Sequence, residues 1–342
     1  MDKKSKMKKP LIILGSILGG LIAVGLIFGA MGSDPINRAT GLFGFDTSGG
    51  SQQTDYSYVS EDHIAVIHVD GIIGADTSGS FLSEPLGYDH QFTMDSIDEA
   101  IENEDNKGLI VFVDSPGGSV YETDELYLKI KEYKKKTERP VYAYMGSMAA
   151  SGGYYLSAAA DKIFASRNCW TGSIGVTVGT FYDISGLLQK YGIRTVTIDS
   201  GSNKSMGSMT KPMSSEEKEI WQRLVDEAYE QFVDIVADGR GMSTGNVKKL
   251  ADGRIYSASQ AKSNGLIDEI GTFDAAANDM KKQNDLGTCE IYEVYPPEES
   301  LIDQLFMKIS ASKESGSDLE KLLGIINENG NYPVAYICEK LK

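Results

Sequence analysis

Two stretches rich in glycine and serine are the first places in this sequence where chemistry could occur. They are DSPGGS at 114–119 and GSMAASGG at 146–153, and each follows a short apolar run. A serine hydroxyl can act as a nucleophile, and the backbone N–H groups of a glycine-rich turn can stabilise a developing negative charge. Together the two stretches indicate a serine that attacks a carbonyl-like centre beside an oxyanion-binding turn.

The first stretch is built to bring backbone close to a ligand. Pro116 fixes the entry to a turn, and Gly117 and Gly118 allow an approach that a β-carbon would prevent. The same residues could form a tight strand-to-helix turn without any chemistry. The presence of a second glycine-serine turn favours the functional interpretation.

The second stretch offers two serines, of which Ser151 is the better candidate. Ser151 is followed by two glycines and then by the helical pattern YYLSAAA, so we expect it at a helix N-terminus with its hydroxyl exposed. Ser147 comes directly after the strand-ending Gly146, where we expect a capping or packing role. An N-cap role for Ser151 stays open, because serine caps helices far more often than it acts as a nucleophile.

A nucleophilic serine needs a base, and the three histidines are poor candidates. His63, His68 and His90 all precede residue 91; the first two flank or lie within a predicted strand, and His90 lies in a predicted surface loop at 80–92. A Ser-His-Asp triad is therefore disfavoured. The histidines are also too widely spaced for a metal site.

Lysine is the alternative base, provided that it is neutral. Keeping a lysine neutral at pH 7 costs about 4.6 kcal/mol relative to its ordinary pKa, and burial or nearby positive charge must supply this free energy. Most lysines here lie in charge runs, but Lys204 lies in SGSNKSMGSM, with no other charge between Asp199 and Lys211. Lys204 is thus a candidate base, and an ordinary loop lysine is the alternative.

The elements that must position these residues alternate between strands and helices. Residues 120–137 and 214–238 predict helices, the second opened by a capping box of Ser214 and Glu217. We predict strands at 63–70, 108–114, 140–144, 162–166, 173–179 and 194–199. Strand-helix-strand units of this length indicate a parallel sheet in the α/β class, with functional residues at the carboxyl ends of its strands.

The composition excludes several classes of function. The chain of 342 residues has a formal charge of −16, and its first ten residues carry five lysines and one aspartate, so the remainder carries −20. Such an acidic body is a poor partner for nucleic acid. An odd number of cysteines without a Cys-X-X-Cys pair fits neither a disulfide framework nor a zinc site, so we predict no metal and no cofactor.

The N-terminal region predicts a membrane anchor. Residues 11–31 contain no charge and are long enough to span a bilayer as a helix. We expect 1–10 to be a basic cytoplasmic tail, 32–58 a flexible linker and the rest of the chain extracytoplasmic in a single-pass protein of the cell membrane. A cleaved signal peptide is the alternative, although its apolar stretch would be shorter.

Five motifs carry a resemblance to a known family. They are DSPGG, MGSMAASGGYYLSAAADKIFA, TGSIGV, NKSMGS and GRIYSASQAKSNGLIDEIG, in the family's order and approximate spacing. Over residues 59–295 the sequence resembles the signal peptide peptidase A family of bacterial membrane-anchored serine proteases. The resemblance implies a Clp protease/crotonase-like spiral of ββα units, preceded by one N-terminal transmembrane helix, and a role in cleaving signal peptides left in the membrane.

The resemblance also assigns roles to individual residues. It implies that Ser151 is the nucleophile, Lys204 the general base, Gly117 and Gly152 the oxyanion-hole donors, and Ser173 the residue that orients the lysine. It further implies a ring-shaped homo-oligomer whose active sites are completed across subunit contacts. The family usually has Asn where this chain has Asp114, a change that adds negative charge near the oxyanion site.

The remaining expectations concern the C-terminal region and the alternatives. Residues 296–342 lie beyond the resemblance; we predict an amphipathic helix at 317–328, and the tail NYPVAYICEKLK at 331–342 either enters the peptide groove and is trimmed or is an ordinary end. The alternative functions are a crotonase-like acyl-binding protein and a catalytically inactive membrane-anchored scaffold. The separate serine and lysine and the extracytoplasmic location argue against the former.

Overall fold

A computed structural model describes residues 59–74, 88–295 and 335–337, and the statements below concern these residues. The strands are β1 His63–Ile73, β2 Asn106–Ser119, β3 Val141–Ala150, β4 Lys162–Ala165, β5 Trp170–Gly172, β6 Ile255–Ser257, β7 Glu269–Ile270, β8 Glu290–Val294 and β9 Ala335–Ile337. The helices are α1 His90–Glu102, α2 Val120–Thr137, α3 Gly152–Ser157, α4 Ser185–Lys190, α5 Ser215–Arg240, α6 Thr244–Leu250, α7 Ala258–Ser263 and α8 Phe273–Gln283.

The strands form one mixed sheet that is mostly parallel. Its main order is β6-β5-β3-β2-β1-β8, while β4 joins β3 to β7, and β9 pairs with β2. Only the β2–β9 and β5–β6 pairs within this described sheet are antiparallel. The prediction of an α/β fold with a parallel sheet is therefore confirmed.

Helices cover both faces of the sheet because the central strands are apolar on both sides. Along β1, Ile67 and Val69 join a core with α1, α2 and α5 residues, whereas Ile64 and Val66 join a second core that includes Met280 of α8. This two-residue alternation follows from the pleat of a strand. The sheet thus holds the carboxyl ends of β2 and β3 rigidly side by side.

Most predicted elements are present. The predicted strands at 63–70, 108–114, 140–144 and 162–166 correspond to β1 to β4, with β2 and β3 extending into the two glycine-serine stretches. The helix predicted at 120–137 is α2, and that at 214–238 is α5. The capping box is confirmed: Ser214 Oγ accepts the Glu217 N–H at 3.1 Å, and a Glu217 carboxylate oxygen accepts the Ser214 N–H at 2.9 Å.

Two predicted strands are wrong. Residues 173–179 and 194–199 are irregular, apart from an isolated bridge at Thr177, and every residue from 194 to 199 is exposed. Alternating Val, Thr and Ile in RTVTID suggested a strand, but a strand needs a neighbour to accept its backbone hydrogen bonds, and no other strand of the described chain pairs there.

The predicted surface loop at 80–92 is wrong at its end. Helix α1 begins at His90, because Asp89 serves as its N-cap and accepts the Phe92 N–H at 2.8 Å. Tyr88, just before the helix, and His90, its first residue, are both buried. The sequence signal that was overlooked is the aspartate immediately before the helix.

Several predictions fall outside the described residues. These are the basic tail at 1–10, the anchor at 11–31, the linker at 32–58 and the amphipathic helix at 317–328. Among the helices that can be described, none combines the length and apolarity needed to cross a bilayer.

Candidate active site

Ser151 lies in the turn between β3 and α3 with an unusual backbone. Its φ of 54° and ψ of −117° place a non-glycine residue in a strained region, at a typical cost of about 1–3 kcal/mol. Two hydrogen bonds hold this conformation: the Ser151 N–H donates to the Gly172 carbonyl at 2.8 Å, and the Tyr155 N–H donates to the Ser151 carbonyl at 2.9 Å. The sheet and the helix together therefore impose the strained turn on Ser151.

The Ser151 hydroxyl is free although it is buried. The residue is 1 % exposed, and its Oγ makes no hydrogen bond within the described chain. The hydroxyl does not cap α3, so the N-cap alternative is wrong, and the expectation of an exposed hydroxyl is also wrong. An unpaired buried hydroxyl costs about 1–3 kcal/mol, which makes Ser151 a residue that is maintained at a cost to stability.

The two glycine-rich turns meet beside Ser151. A β-carbon built on Gly152 lies 3.3 Å from Gly117 Cα and 3.2 Å from the Gly118 nitrogen, closer than most side chains come. The same β-carbon would lie 2.7 Å from Thr123 Oγ1. Gly117 has a φ of 102°, a backbone conformation that favours glycine. Glycine is thus required at residues 117 and 152 for the turns to approach each other.

The two predicted oxyanion donors differ in their present hydrogen bonds. Gly152 is the first residue of α3, where a backbone N–H has no acceptor inside the helix. The Gly117 N–H donates to Ser115 Oγ at 3.0 Å. In this arrangement Gly152 is the more available donor, and Gly117 must exchange Ser115 for an oxyanion.

Ser173 lies next to Ser151 across two adjacent strands. It follows Gly172, whose carbonyl accepts the Ser151 N–H, and it is buried with a φ of 50°. It also borders a cavity of about 380 Å³ that Tyr229 and Asp252 help to line. Ser173 is therefore suited to contact a group that approaches Ser151 through this cavity.

Lys204 is not brought to Ser151 within the described chain. It lies in the segment 175–213, here called the arm, which contains α4 and has no buried residue. The Lys204 side chain is exposed, and the Ser151 hydroxyl has no partner. Apolar residues of the arm are also exposed, including Val196 at 86 % and Ile198 at 93 %.

The histidines are occupied elsewhere. His63 Nδ1 lies 2.7 Å from the Glu61 carbonyl oxygen, and burial lowers the pKa of this histidine. His90 lies between Tyr88 and Glu125. Burial opposes protonation of His68, but hydrogen bonds to Asp70 and Glu293 outweigh it and raise its pKa.

Each histidine therefore has partners other than the Ser151 hydroxyl, which makes no hydrogen bond within the described chain. No group of three potential metal ligands occurs in the described part of the chain.

Ser147 is exposed and hydrogen-bonded to Asp114, and it neither packs in a core nor caps a helix. Its Oγ donates to the Asp114 carboxylate at 2.7 Å, which links the end of β3 to the end of β2. The prediction from sequence did not include Ser115 or Thr123, although both are small polar residues close to the first glycine turn. Their position within a few residues of Gly117 is the signal that could have identified them.

A short strand from the tail pairs with the first glycine turn. In β9, Ile337 is opposite Gly117, Tyr336 is opposite Gly118, and Ala335 is opposite Ser119, in antiparallel register. The extended conformation that the tail sequence predicts is therefore present at 335–337. β9 therefore pairs with β2 beyond Ser115, where the pairing between β2 and β3 ends.

Comparison with known proteins identifies the family. Residues 133–287 match the model of peptidase family S49, a range that includes Ser151 and Lys204. A protein of Enterococcus faecium named as a signal peptide peptidase, SppA, is 40% identical over 243 residues, which are 71% of this chain and 70% of that protein.

Two further relatives come from an archaeon and a plant. A protein of Methanocaldococcus jannaschii named as a protease is 38% identical, over 60% of this chain and 65% of its own length. The chloroplastic serine protease SPPA of Arabidopsis thaliana is 33% identical, over 63% of this chain and 31% of its own length.

Each of these relatives is named as a protease, and the alignment with the bacterial relative extends over more than two thirds of both chains. The chain therefore belongs to peptidase family S49 and is a serine peptidase.

Proposed function

We propose that this serine peptidase is an endopeptidase in which Ser151 is the nucleophile and Lys204 the general base. The observation that carries the proposal is the Ser151 hydroxyl, which is buried, unpaired and held on a strained turn beside two glycine-rich loops. Neither capping nor packing accounts for such a hydroxyl. A nucleophile whose base is supplied by another contact would account for it.

In the proposed mechanism, neutral Lys204 accepts the hydroxyl proton of Ser151 as Oγ attacks a peptide carbonyl carbon. The carbonyl oxygen becomes an oxyanion, held by the N–H groups of Gly152 and Gly117. Lys204 then protonates the leaving amine as the peptide bond breaks. It next takes a proton from water as the water oxygen attacks the carbonyl carbon of the acyl-enzyme, and it returns that proton to Ser151 Oγ as the ester bond breaks.

We further propose that Lys204 reaches Ser151 from a neighbouring subunit in a ring-shaped homo-oligomer. Supporting this, the arm that carries Lys204 has no buried residue and displays exposed apolar side chains such as Val196 and Ile198. Exposed apolar surface of this kind is typical of protein interfaces. Burial in such an interface would also supply the desolvation that a neutral lysine requires. Ser173, next to Ser151, is placed to accept a hydrogen bond from the incoming lysine.

The proposed substrates are peptides bound in extended form along the edge of β2. Supporting this, β9 already pairs antiparallel with Gly117–Ser119 of that edge. A peptide in this register presents backbone carbonyls close to the turn that carries Ser151. We propose remnants of signal peptides as the natural class, because the uncharged segment at 11–31 would hold the enzyme at the membrane with its active site outside the cytoplasm.

The arrangement of β and α elements fits the spiral of ββα units found in Clp protease and crotonase, and we propose that fold for residues 59–295.

The pairing of β9 with β2 supports the proposal that the tail is a substrate of its own enzyme. Intact masses of the wild-type chain and Ser151→Ala would differ if the tail is trimmed. Equal masses would contradict self-processing.

The full chain, purified in detergent, tests the dyad. Hydrolysis of an internally quenched apolar peptide should fall by about 10³-fold or more in both Ser151→Ala and Lys204→Ala. Labelling by a fluorophosphonate should map to Ser151 and be lost in Ser151→Ala. Activity that survives in both variants would contradict the proposal. Ser263→Ala on α7, which removes an exposed hydroxyl that donates to the Ser259 carbonyl, is the control for loss of a serine hydroxyl.

A further inference from the structure

The ladder between β2 and β3 is interrupted immediately before the active site. Val113 pairs with Met145, but the next pair is Ser115 with Ala149. Between these pairs β2 contributes one residue, Asp114, and β3 contributes three, 146–148. Such a bulge leaves backbone N–H groups of the longer strand without their usual partner.

The Asp114 carboxylate accepts the hydrogen bonds that the interrupted strand pairing leaves without backbone acceptors. Its Oδ1 accepts the Met148 N–H at 3.1 Å, and its Oδ2 accepts the Ser147 N–H at 3.3 Å. The Ser147 hydroxyl donates to the same carboxylate, at 2.7 Å from Oδ1 and 3.0 Å from Oδ2. Three donors from the bulge therefore converge on one acidic side chain.

The bulge determines where Ser151 lies relative to the oxyanion turn. After it, Ala149 and Ala150 return to regular pairing, with β5 on one side, and Ser151 follows directly. On the other strand, Asp114 immediately precedes the turn that contains Gly117. A change in the bulge would thus shift Ser151 along β2, and a displacement of about 1 Å can cost a reaction about 100-fold in rate.

We propose that Asp114, together with Ser147, is a positioning residue that fixes the distance between the nucleophile and the oxyanion-binding turn. This inference rests on the proposed role of Ser151. Asp114 acts through the backbone of the bulge and does not touch the substrate. Packing supports the same assignment, because Asp114 Oδ2 lies 3.1 Å from the position of a β-carbon on Gly146, so the carboxylate lies tightly against the bulge.

The test compares Asp114 with a matched carboxylate at the other end of β3. Asp161 Oδ2 accepts the Val141 N–H at 2.8 Å, so Asp161→Ala also removes a carboxylate that binds strand backbone, but far from the turn. In Asp114→Ala we expect kcat to fall about 30-fold or more with KM within about threefold. In Asp161→Ala we expect kcat to stay within about twofold, even where its thermal stability falls.

Two conservative variants sharpen the test. An amide in Asp114→Asn keeps one oxygen, which can accept from both Met148 and the Ser147 hydroxyl, so kcat should stay within about threefold of wild type. Ser147→Ala should lower kcat about fivefold, and adding it to Asp114→Ala should cause no further loss, because both act through one cluster. The rate of fluorophosphonate labelling at Ser151 should follow the same order.

A wild-type kcat in Asp114→Ala, or equal losses in Asp114→Ala and Asp161→Ala, would overturn the inference. If Asp114→Ala does not fold, the other two variants decide. An unchanged kcat in Ser147→Ala would overturn the inference. A lowered kcat in Ser147→Ala, together with a kcat close to wild type in Asp114→Asn, would support it. Activity in Ser151→Ala would instead contradict the proposed function. Normal kcat in Asp114→Ala with no activity in Ser151→Ala would contradict the positioning role alone.

Discussion

The turn that carries Ser151 is buried between strands, whereas the arm that carries Lys204 has no buried residue. At the turn, hydrogen bonds from two neighbouring elements impose a strained backbone on Ser151. Along the arm, apolar side chains such as Val196 and Ile198 are exposed. The difference shows that a single chain holds Ser151 and the two glycine turns in one rigid arrangement, whereas the proposed base lies on a segment that the same chain does not bury.

The largest effect should come from changing the chemistry of the base while keeping its charge. In Lys204→Arg the guanidinium stays protonated and cannot accept the Ser151 proton, so peptide hydrolysis should fall by about 10³-fold or more, as in Lys204→Ala. Steady-state hydrolysis with an assembled-mass measurement checks this. Substantial activity in Lys204→Arg would show that Lys204 contributes only positive charge. It would contradict the proposal that the arm supplies the general base.

The next largest effect should come from separating the two glycine turns beside Ser151. In Gly152→Ala the new methyl group would meet Thr123 Oγ1 and the backbone of Gly118, so the two glycine turns must separate. We expect hydrolysis to fall by about 10²-fold, the typical cost of an impaired oxyanion hole. Gly186→Ala in α4 of the arm is the matched control, because nothing lies within 4 Å of its β-carbon position. Similar activities in the two variants would contradict the close approach at residue 152.

The sequence predicted the first four strands of the sheet and the location of the turn at Ser151, but not the short strands β5 to β8. Apolar runs and glycine turns predicted β1 to β4 and the turn at Ser151, because these features are determined by local pattern and by burial within one chain. The strained φ of Ser151 and the bulge at Asp114 could not be predicted, since both depend on register between strands. The arm was predicted wrongly for a related reason: RTVTID has a strand pattern, but no other strand of the described chain pairs with it.

A smaller effect should separate assembly from folding. In Ile198→Asp a charge replaces an apolar side chain that is exposed in the single chain, so the free energy of unfolding should change by no more than about 0.5 kcal/mol. If the arm forms a subunit contact, the mass in solution should fall and hydrolysis should drop about tenfold at low protein concentration. Leu128→Asp on α2, which is also exposed, is the control. Unchanged mass and activity in Ile198→Asp would show that Ile198 of the arm does not lie in a subunit interface.

The smallest effect concerns the stability of the sheet itself. His68 of β1 is hydrogen-bonded to Glu293 of β8, and the hydrogen bonds to Glu293 and Asp70 outweigh burial and raise the pKa of His68. Because the folded pKa lies above the unfolded one, this stabilisation is complete below about pH 6.5 and is lost as the pH rises through the folded pKa.

His68→Gln should therefore lower stability by about 1 kcal/mol at pH 6 and by less at pH 9. Thermal denaturation at the two pH values checks this, with Leu128→Asp on α2 as a pH-independent reference. A larger loss at pH 9 would contradict the assigned sign.

Subunit complementation tests the central claim most directly, namely that Lys204 of one subunit activates Ser151 of another. Ser151→Ala and Lys204→Ala chains, each inactive alone, would be mixed, dissociated and reassembled, and peptide hydrolysis would be measured. Random mixing should restore about a quarter of the wild-type rate, because some subunit contacts then combine an intact serine with an intact lysine. If hydrolysis stays at the level of the separate variants although mixed assemblies form, the dyad does not cross between subunits and the account is contradicted.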